Sequence, residues 1–427
     1  MAKIYLQTHG CSANISESDI MRGLLHEAGH QVTDNFKELE NSDISIINIC
    51  TVKGDYHALK EIRKLRNRAE KLIVTGCIPS ASVPKIKQFS PISLVSTHNI
   101  KQISLAVSKA LSGEYSEHLE KNNELKINLP KKRLNPIVNI VPIASGCNSA
   151  CSFCSVKLIK GNILSYPMEK IIEDIKTGIK EGCKEVWITS QDNSAYGLDT
   201  SKTTLLPDLI ESITKVQGDF KIRIGMMSPQ HLFKVQKEFI EAIKSEKVFK
   251  FLHIPLQSGS DEVLKRMLRH YSIKEYKDLI TNIRREFPEI TLATDMIVGF
   301  PWESDEDFKK SLDLMHEIKF DIVNISRYAP REGTVANKWK PITGDISKKR
   351  STEMTKVADQ ISLELNKRWL NWEGEIIVDE EGKDESWVGR NYAYKPIVVK
   401  TIKNLLGRTV RVKVNKIESH YLIGCMV

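Results

Sequence analysis

The chain has 427 residues, 41% of them hydrophobic and 27% charged, enough apolar material for two or three ordinary domain cores. Its net charge of +9 favours a polyanionic partner without demanding one. The longest uncharged stretch, 134–156, is interrupted by Asn135, Pro136, Asn139, Pro142 and Asn148, which excludes a membrane-spanning helix. Met1-Ala2-Lys3 runs straight into strand-like residues with no signal-peptide pattern, so a soluble, cytoplasmic protein is expected. In that compartment eight cysteines read as thiols or metal ligands, not disulfides.

Residues 3–7, 43–49 and 71–75 read as strands and 16–28 and 56–70 as helices, with shorter strand and helix signals at 92–96 and 100–111. Such alternation implies a parallel sheet covered by helices on both faces. Cys11, Cys50 and Cys77 each follow one of the three strands. Ligands of open parallel sheets bind beyond the carboxyl ends of the strands, so three residues far apart in sequence become one spatial cluster. Gly10 and Gly76, each directly before its cysteine, let the backbone approach a bulky inorganic ligand. The plainer alternative is that cysteine is a commonly buried residue. Residues 113–135 are polar and charge-rich, bounded by Gly113 and Pro136, and read as an exposed connection. Its Lys131-Lys132-Arg133 triplet is either a phosphate contact or, more commonly, a solvated charge run.

Six strand candidates follow, at 137–143, 185–189, 221–226, 249–255, 291–298 and 322–327, separated by helical patterns such as 167–181 and 272–287. Repeated β-then-α units of this spacing indicate a barrel-like parallel architecture with its chemistry at the strand carboxyl ends. Just beyond the first strand lies Gly146-Cys147-Asn148-Ser149-Ala150-Cys151-Ser152-Phe153-Cys154. Three thiolates on one tight loop can bind three corners of a four-iron, four-sulfur cluster and leave the fourth iron open to another ligand. Half of a zinc site is the competing reading, but no second ligand pair follows. Polar groups mark other strand ends: Ser190-Gln191-Asp192-Asn193, His253 to Ser260, Asp295 to Pro301, and Tyr328 to Thr334.

From 367 to the end, short β-rich runs at 372–379, 387–394, 395–400, 409–416 and 421–427 alternate with Gly374, Gly382, Gly389 and Gly407. They suggest a small barrel of the oligonucleotide-binding type. Arg390 and Tyr392, with Lys395, Lys400, Lys403, Arg408 and Arg411 nearby, suit phosphate attraction with base stacking. Trp387 serves equally well as core, and Cys183 and Cys425, lacking a motif, read as packing residues.

The cysteine loop resembles that of the radical S-adenosylmethionine (SAM) superfamily, where SAM chelates the open iron. Thr8-His9-Gly10-Cys11-Ser12-Ala13-Asn14, Asn48-Ile49-Cys50-Thr51-Val52 and Thr75-Gly76-Cys77-Ile78-Pro79 resemble the three cysteine motifs of the methylthiotransferase family. Gly389-Arg390-Asn391-Tyr392 and Gly407-Arg408 resemble the RNA-binding TRAM domain that ends most of its members. The resemblance covers essentially the whole chain. It implies an α/β protein with a flavodoxin-like domain at 1–112, a linker at 113–135, a partial (β/α)6 radical SAM barrel at 136–366 and an all-β TRAM barrel at 367–427. Two [4Fe-4S] clusters follow from it, one on Cys147, Cys151 and Cys154 and an auxiliary one on Cys11, Cys50 and Cys77; His9 is a local polar residue.

By the same resemblance, Ser190, Gln191 and Asp192 stand where the family reads the SAM amino group. Gln257 and Ser258 lie in the ribose region, Val298, Gly299 and Phe153 border the adenine, and Arg269 meets the carboxylate. The family uses the first cluster and SAM to make a 5′-deoxyadenosyl radical and the second to supply sulfur for a methylthio group. An electron donor of the flavodoxin or ferredoxin type, a sulfur donor and tRNA are the implied partners, with no membrane.

Tyr166-Pro167, Ser190 to Gly197 and Gly76 to Pro79 are most similar to the archaeal and eukaryotic branch, which acts at C2 of N(6)-threonylcarbamoyladenosine at position 37 of tRNA. Ile78 and Pro79 depart from the bacterial pattern, and Lys160-Gly161 stands where many relatives have Arg-Gly. The alternatives are an isopentenyladenosine tRNA or a ribosomal-protein aspartate as target. From a different class comes a non-catalytic, redox-sensing iron–sulfur RNA-binding protein.

Overall fold

A computed structural model of the chain describes residues 1–50 and 55–427; Thr51 and Val52 of the second cysteine motif lie outside the described residues. The first sheet contains β1 (Lys3–Thr8), β2 (Gln31–Thr33), β3 (Ile44–Ile49), β4 (Leu72–Gly76), β5 (Ser93–Ser96) and β6 (Glu117–His118). All six strands are parallel, in the order β2-β1-β3-β4-β5-β6. The first five follow the doubly wound flavodoxin-like order. Side chains alternate across the sheet, so Ile4, Leu6, Ile44 and Ile46 meet the helices Ser12–Glu27 and Ile103–Leu111. Tyr5, Ile47, Ile49 and Val74 meet the helices Asp55–Arg66 and Val83–Lys87.

The stretch 113–135 departs from an exposed connection. Glu117–His118 extends the sheet as its sixth strand, a pairing too short to carry a period-2 signal. Beyond it the chain forms a strap packed into the next domain. Ile127 enters the barrel core, and the backbone at Pro130 passes so close to Gly23 that a Cβ there would collide with it. Lys131 pairs with Asp174 at 2.7 Å, and Arg133 pairs with Glu181 and donates to Asn139. These two cations are therefore neither solvated nor offered to phosphate. Their counter-ions lie on the helix Met168–Lys180 and just after it, which local sequence does not reveal.

The second domain contains β7 (Val138–Pro142), a short antiparallel pair β8 (Ala144–Ser145) and β9 (Leu164–Ser165), β10 (Glu185–Thr189), β11 (Lys221–Ile224), β12 (Phe251–His253), β13 (Thr291–Val298) and β14 (Ile322–Arg327). β7, β10 and β11 form one parallel sheet and β12, β13 and β14 another. A parallel bridge between Ile222 and Val248 joins them, so the main strands follow one another in chain order around an arc from β7 to β14. One continuous core, from Val141 and Ile188 to Met296 and Phe320, lines the arc and its covering helices. The helix Gly344–Asn366 then crosses β14 and leads to the last domain.

There β15 (Glu373–Glu381), β16 (Ser386–Arg390), β17 (Pro396–Lys400), β18 (Thr409–Ile417) and β19 (Leu422–Met426) close into a barrel in the order β15-β16-β17-β19-β18. Ile376, Val378, Val399, Val412 and Leu422 fill it around Trp369, and half-buried Trp387 packs against that core. Arg390 and Lys395 do not face outward as expected. Lys395 is buried against Asp321 of the second domain at 2.8 Å, and Arg390 pairs with Asp379 at 3.1 Å while lying over the Tyr394 ring. Tyr394 itself sits among Phe249, Phe251 and Trp187. These residues dock the barrel; of the cations expected on its RNA face, Lys400, Lys403, Arg408 and Arg411 are exposed, the last paired with Glu373. Cys183 is buried as expected, whereas Cys425 is exposed on β19, opposite Lys413 of β18, and is not a packing residue.

Candidate active site

The loop from Gly146 to Asn162 hangs between β8 and β9, whose pairing brings its two ends together. Gly146 has φ +79°, and a Cβ there would collide with the Asn162 carbonyl, so the turn requires glycine. Cys147 N–H donates to Gly161 O at 3.2 Å and Cys154 N–H to Cys151 O at 3.2 Å. Ser152 is clamped between them: its N–H donates to Met267 O, its hydroxyl to Arg266 O, and its carbonyl accepts from Ala336 N–H. Fixing Ser152 fixes Cys151 and Phe153 on either side of it.

Polar groups converge on the thiols. Ser149 N–H donates to Cys147 Sγ at 3.4 Å, and Arg269 donates to Cys151 Sγ at 3.2 Å, to Ser228 Oγ at 3.0 Å and to Tyr271 Oη at 3.1 Å. Burial, then the nearby Asp192 carboxylate, pushes the Cys147 thiol up to about 12; burial likewise raises Cys154. A thiol so disfavoured as an anion suits a site whose ligand brings its own positive charge. Asp192 is 3% exposed, and its Oδ1 accepts from Ser194 N–H, Ser194 Oγ–H and Ser228 N–H. Its Oδ2 has no hydrogen-bond partner and stands 3.7 Å from His231 Nε2.

Ser190 Oγ accepts from Asp192 N–H, and Gln191 keeps a buried, unpartnered Oε1. Gln257, at φ +76°, is held by Asp295 O and Ile297 N–H. Ser258 is buried with its hydroxyl accepting from Ser260 N–H, so it braces the loop. Gly299, at φ +73°, donates to Glu303 Oε2, while buried Val298 accepts from Tyr328 N–H. Phe153 packs edge-on against Phe300, and its carbonyl accepts from Arg331. The third strand end adds Ser228, Gln230 and His231, which sequence reading passes over. Their signal was a Ser-Pro-Gln-His run after a strand, of the same kind as the runs at the other strand ends.

The other triplet occupies the carboxyl ends of β1, β3 and β4, which are adjacent in the sheet. Cys11 precedes the helix Ser12–Glu27, and its Sγ contacts Asn14, whose side chain donates to Asn48 and Ile49 O on β3. Cys77 N–H donates to Ile49 O. The Cys77 thiol is pushed well up, first by its hydrogen bond with Cys50 and then by burial. A Cβ on Gly10 would run into the Cys50 side chain, so glycine keeps the cradle open. Cys50 and Cys77 are in hydrogen-bond contact and Cys11 follows the neighbouring strand, all beside backbone too close for a Cβ, and three thiols as donors fit a thiolate-bound iron–sulfur group. Among the described residues no three His, Cys, Asp or Glu side chains are already gathered as ligands of a single ion.

Between the triplets lies a buried ion cluster. Glu17 Oε1 accepts from Lys126 Nζ at 2.7 Å, Lys160 Nζ at 3.1 Å and Thr97 Oγ1 at 2.5 Å. Burial opposes ionisation of Glu17, but the two lysines hold it down at about 2. Lys160 ends the helix Val156–Lys160 just after the Cys147 loop, and it also interacts electrostatically with Cys77 and Cys11. The cluster thus ties Glu17 of the first domain to Lys160 of the second.

Three family models match the chain: the Radical SAM superfamily over residues 141–315, Uncharacterized protein family UPF0004 over 3–96, and the TRAM domain over 373–427. A Pyrococcus horikoshii protein named "Probable threonylcarbamoyladenosine tRNA methylthiotransferase" is 38% identical over 99% of both chains. The chain belongs to that methylthiotransferase family. The family reaches eukaryotes: the Danio rerio threonylcarbamoyladenosine tRNA methylthiotransferase is 33% identical over 99% of this chain and 78% of its own. In fold, the chain is similar to TsrM, a radical SAM methyltransferase from Kitasatospora setae solved with cobalamin and a [4Fe-4S] cluster. That likeness has a TM-score of 0.56 at 11% identity, over 78% of this chain and 77% of the other. Membership of the radical SAM superfamily implies a [4Fe-4S] cluster and SAM, and the TRAM domain implies RNA binding. Among the described residues, no helix is long and apolar enough to cross a membrane.

Proposed function

We propose that this chain is a cytoplasmic enzyme that adds a methylthio group to C2 of N(6)-threonylcarbamoyladenosine at position 37 of tRNA. The observation that carries this reading is full-length likeness to relatives of that name, in archaea and eukaryotes alike. The two cysteine triplets support it, because a binding protein needs neither a SAM pocket nor a second cluster. The reading divides the chain at 1–112, 136–366 and 367–427, with 113–135 as the strap between the first two.

In this reading Cys147, Cys151 and Cys154 hold one [4Fe-4S] cluster with SAM, and Cys11, Cys50 and Cys77 hold the other. When bound, the first supplies the electron that cleaves SAM and the second supplies sulfur, under a low-potential donor of the flavodoxin or ferredoxin type and a separate sulfur donor. The remaining work belongs to side chains. Arg269, oriented by Ser228 and Tyr271, presents its guanidinium to the SAM carboxylate beside Cys151. Asp192 has one oxygen saturated and the other free, which suits an ammonium group. Ser190 and Gln191 flank it, Gln257 borders the ribose, and Val298, Gly299 and Phe153 form the adenine side. Glu17, Lys126 and Lys160 keep the two cysteine sites in register.

The test is anaerobic incubation of the reconstituted protein with SAM, reductant and tRNA carrying threonylcarbamoyladenosine, followed by nucleoside mass spectrometry. The methylthio product is expected with the intact chain. With Cys11→Ala, 5′-deoxyadenosine should still form while the product disappears. Product formation undiminished by Cys11→Ala would reject the auxiliary site.

A further inference from the structure

The helix Asp55–Arg66 carries a surface that the chemistry above leaves unused. Ala58, Ile62 and Leu65 pack it onto the sheet. Its opposite face, continued by the turn that follows, exposes Tyr56, His57, Lys60, Arg63, Lys64 and Arg68. These positions recur at helical spacing and form one stripe about 18 Å long. Glu61 beside it pairs with Lys64 at 2.6 Å and offsets that cation, so the net positive charge of the stripe comes from Lys60, Arg63 and Arg68. Arg63 lies over the Phe89 ring at 5.8 Å and Arg68 over Phe36 at 4.9 Å, which holds both guanidinium groups against aromatic faces, where their donors suit an anion.

The stripe starts at the auxiliary cysteines. The helix begins at Asp55, five residues after Cys50 at the end of β3. Tyr56 is 73% exposed there, with the His57 ring edge-on to it at 5.7 Å. The C-terminal barrel holds Arg390 and Lys395 in ion pairs, so those two cations do not add to its phosphate contact.

We propose that this stripe is a second binding site for the RNA substrate, its cations following the phosphodiester backbone and Tyr56 stacking on an unpaired base at the cysteine end. The inference rests on the RNA substrate proposed above. An acidic electron donor also seeks positive charge. It has no use for a stacking aromatic, and it must reach the Cys147 loop, which lies in the other domain.

The test measures tRNA affinity of the full-length, iron-loaded protein by fluorescence anisotropy between about 50 and about 200 mM salt. Lys60→Gln, Arg63→Gln and Lys64→Gln together should weaken binding at least about tenfold at low salt and flatten the log–log salt slope by about two to three. Tyr56→Ala should cost about tenfold, whereas Tyr56→Phe keeps the affinity. Iron content and thermal midpoint report folding, and a Lys60→Arg, Lys64→Arg variant that binds like wild type isolates charge from shape. Unchanged affinity and slope, with wild type binding tRNA, overturn the stripe alone. A wild-type chain without tRNA affinity overturns the substrate reading and the stripe together. Weakened binding of a flavodoxin-type protein with tRNA affinity intact assigns the stripe to the donor and also overturns the proposal.

Discussion

Arg269 makes the residue-scale case most directly, because one planar fork serves Cys151, Ser228 and Tyr271 at once. An ammonium cannot reproduce that geometry. Arg269→Lys should therefore weaken SAM binding about tenfold with iron content unchanged, measured by equilibrium dialysis. The role proposed for it comes only from resemblance, since a lone arginine after a short helix has no local signature. The six cysteines were legible on their own, because Gly10-Cys11 and Gly76-Cys77 end strands and Cys147, Cys151 and Cys154 share one loop. Asp192 was legible as a strand-end polar group, but not that Ser194 and Ser228 occupy its first oxygen and leave the second free. Ser258 shows the reverse, a strand-end hydroxyl that turns inward to brace its own loop.

At the scale of elements, the β–α alternation gave the order of strands because period-2 and helical patterns differ over short windows. Contacts between elements were not legible. Glu17 meets Lys126 and Lys160 across separations of 109 and 143 residues, so no window holds both charges. Removing the carboxylate would leave two buried cations without their partner. Glu17→Gln should cost about 3–5 kcal/mol in chemical denaturation. The cluster loop depends on Gly146 in the same concrete way. Gly146→Ala should lower reconstituted iron from about eight to about four per chain, whereas Gly113→Ala, at φ +88° with open space around it, should leave it unchanged. Iron analysis of the two variants side by side separates a general glycine effect from the collision with Asn162.

For the whole molecule, the docking of the C-terminal barrel was the part least visible beforehand. Arg390 and Lys395 look like an RNA surface in sequence because Asp379, which Arg390 meets across the barrel, and Asp321, which Lys395 meets in another domain, are not their neighbours in the chain. The interface has a pH dependence. Burial, then the Asp379 carboxylate, raises Glu185 from 4.5 to about 8, against the pull of Trp187 Nε1–H and the Arg390 and Arg223 guanidinium groups. Between those values the folded chain holds a proton that the unfolded chain releases, so stability declines as pH rises through about 8. Thermal midpoints from pH 6 to 9 should fall over that window, and Glu185→Gln, which keeps an acceptor for Trp187, should flatten the decline.

In the proposed reading the three domains bring sulfur, radical and RNA sites into one chain, and the substrate reading rests on full-length likeness to its relatives. The most direct measurement is the nucleoside mass spectrum of tRNA from cells lacking this protein. The account predicts that 2-methylthio-N(6)-threonylcarbamoyladenosine disappears, unmodified threonylcarbamoyladenosine accumulates, and the intact chain but not Cys77→Ala restores the product. A spectrum unchanged by loss of the protein would contradict it.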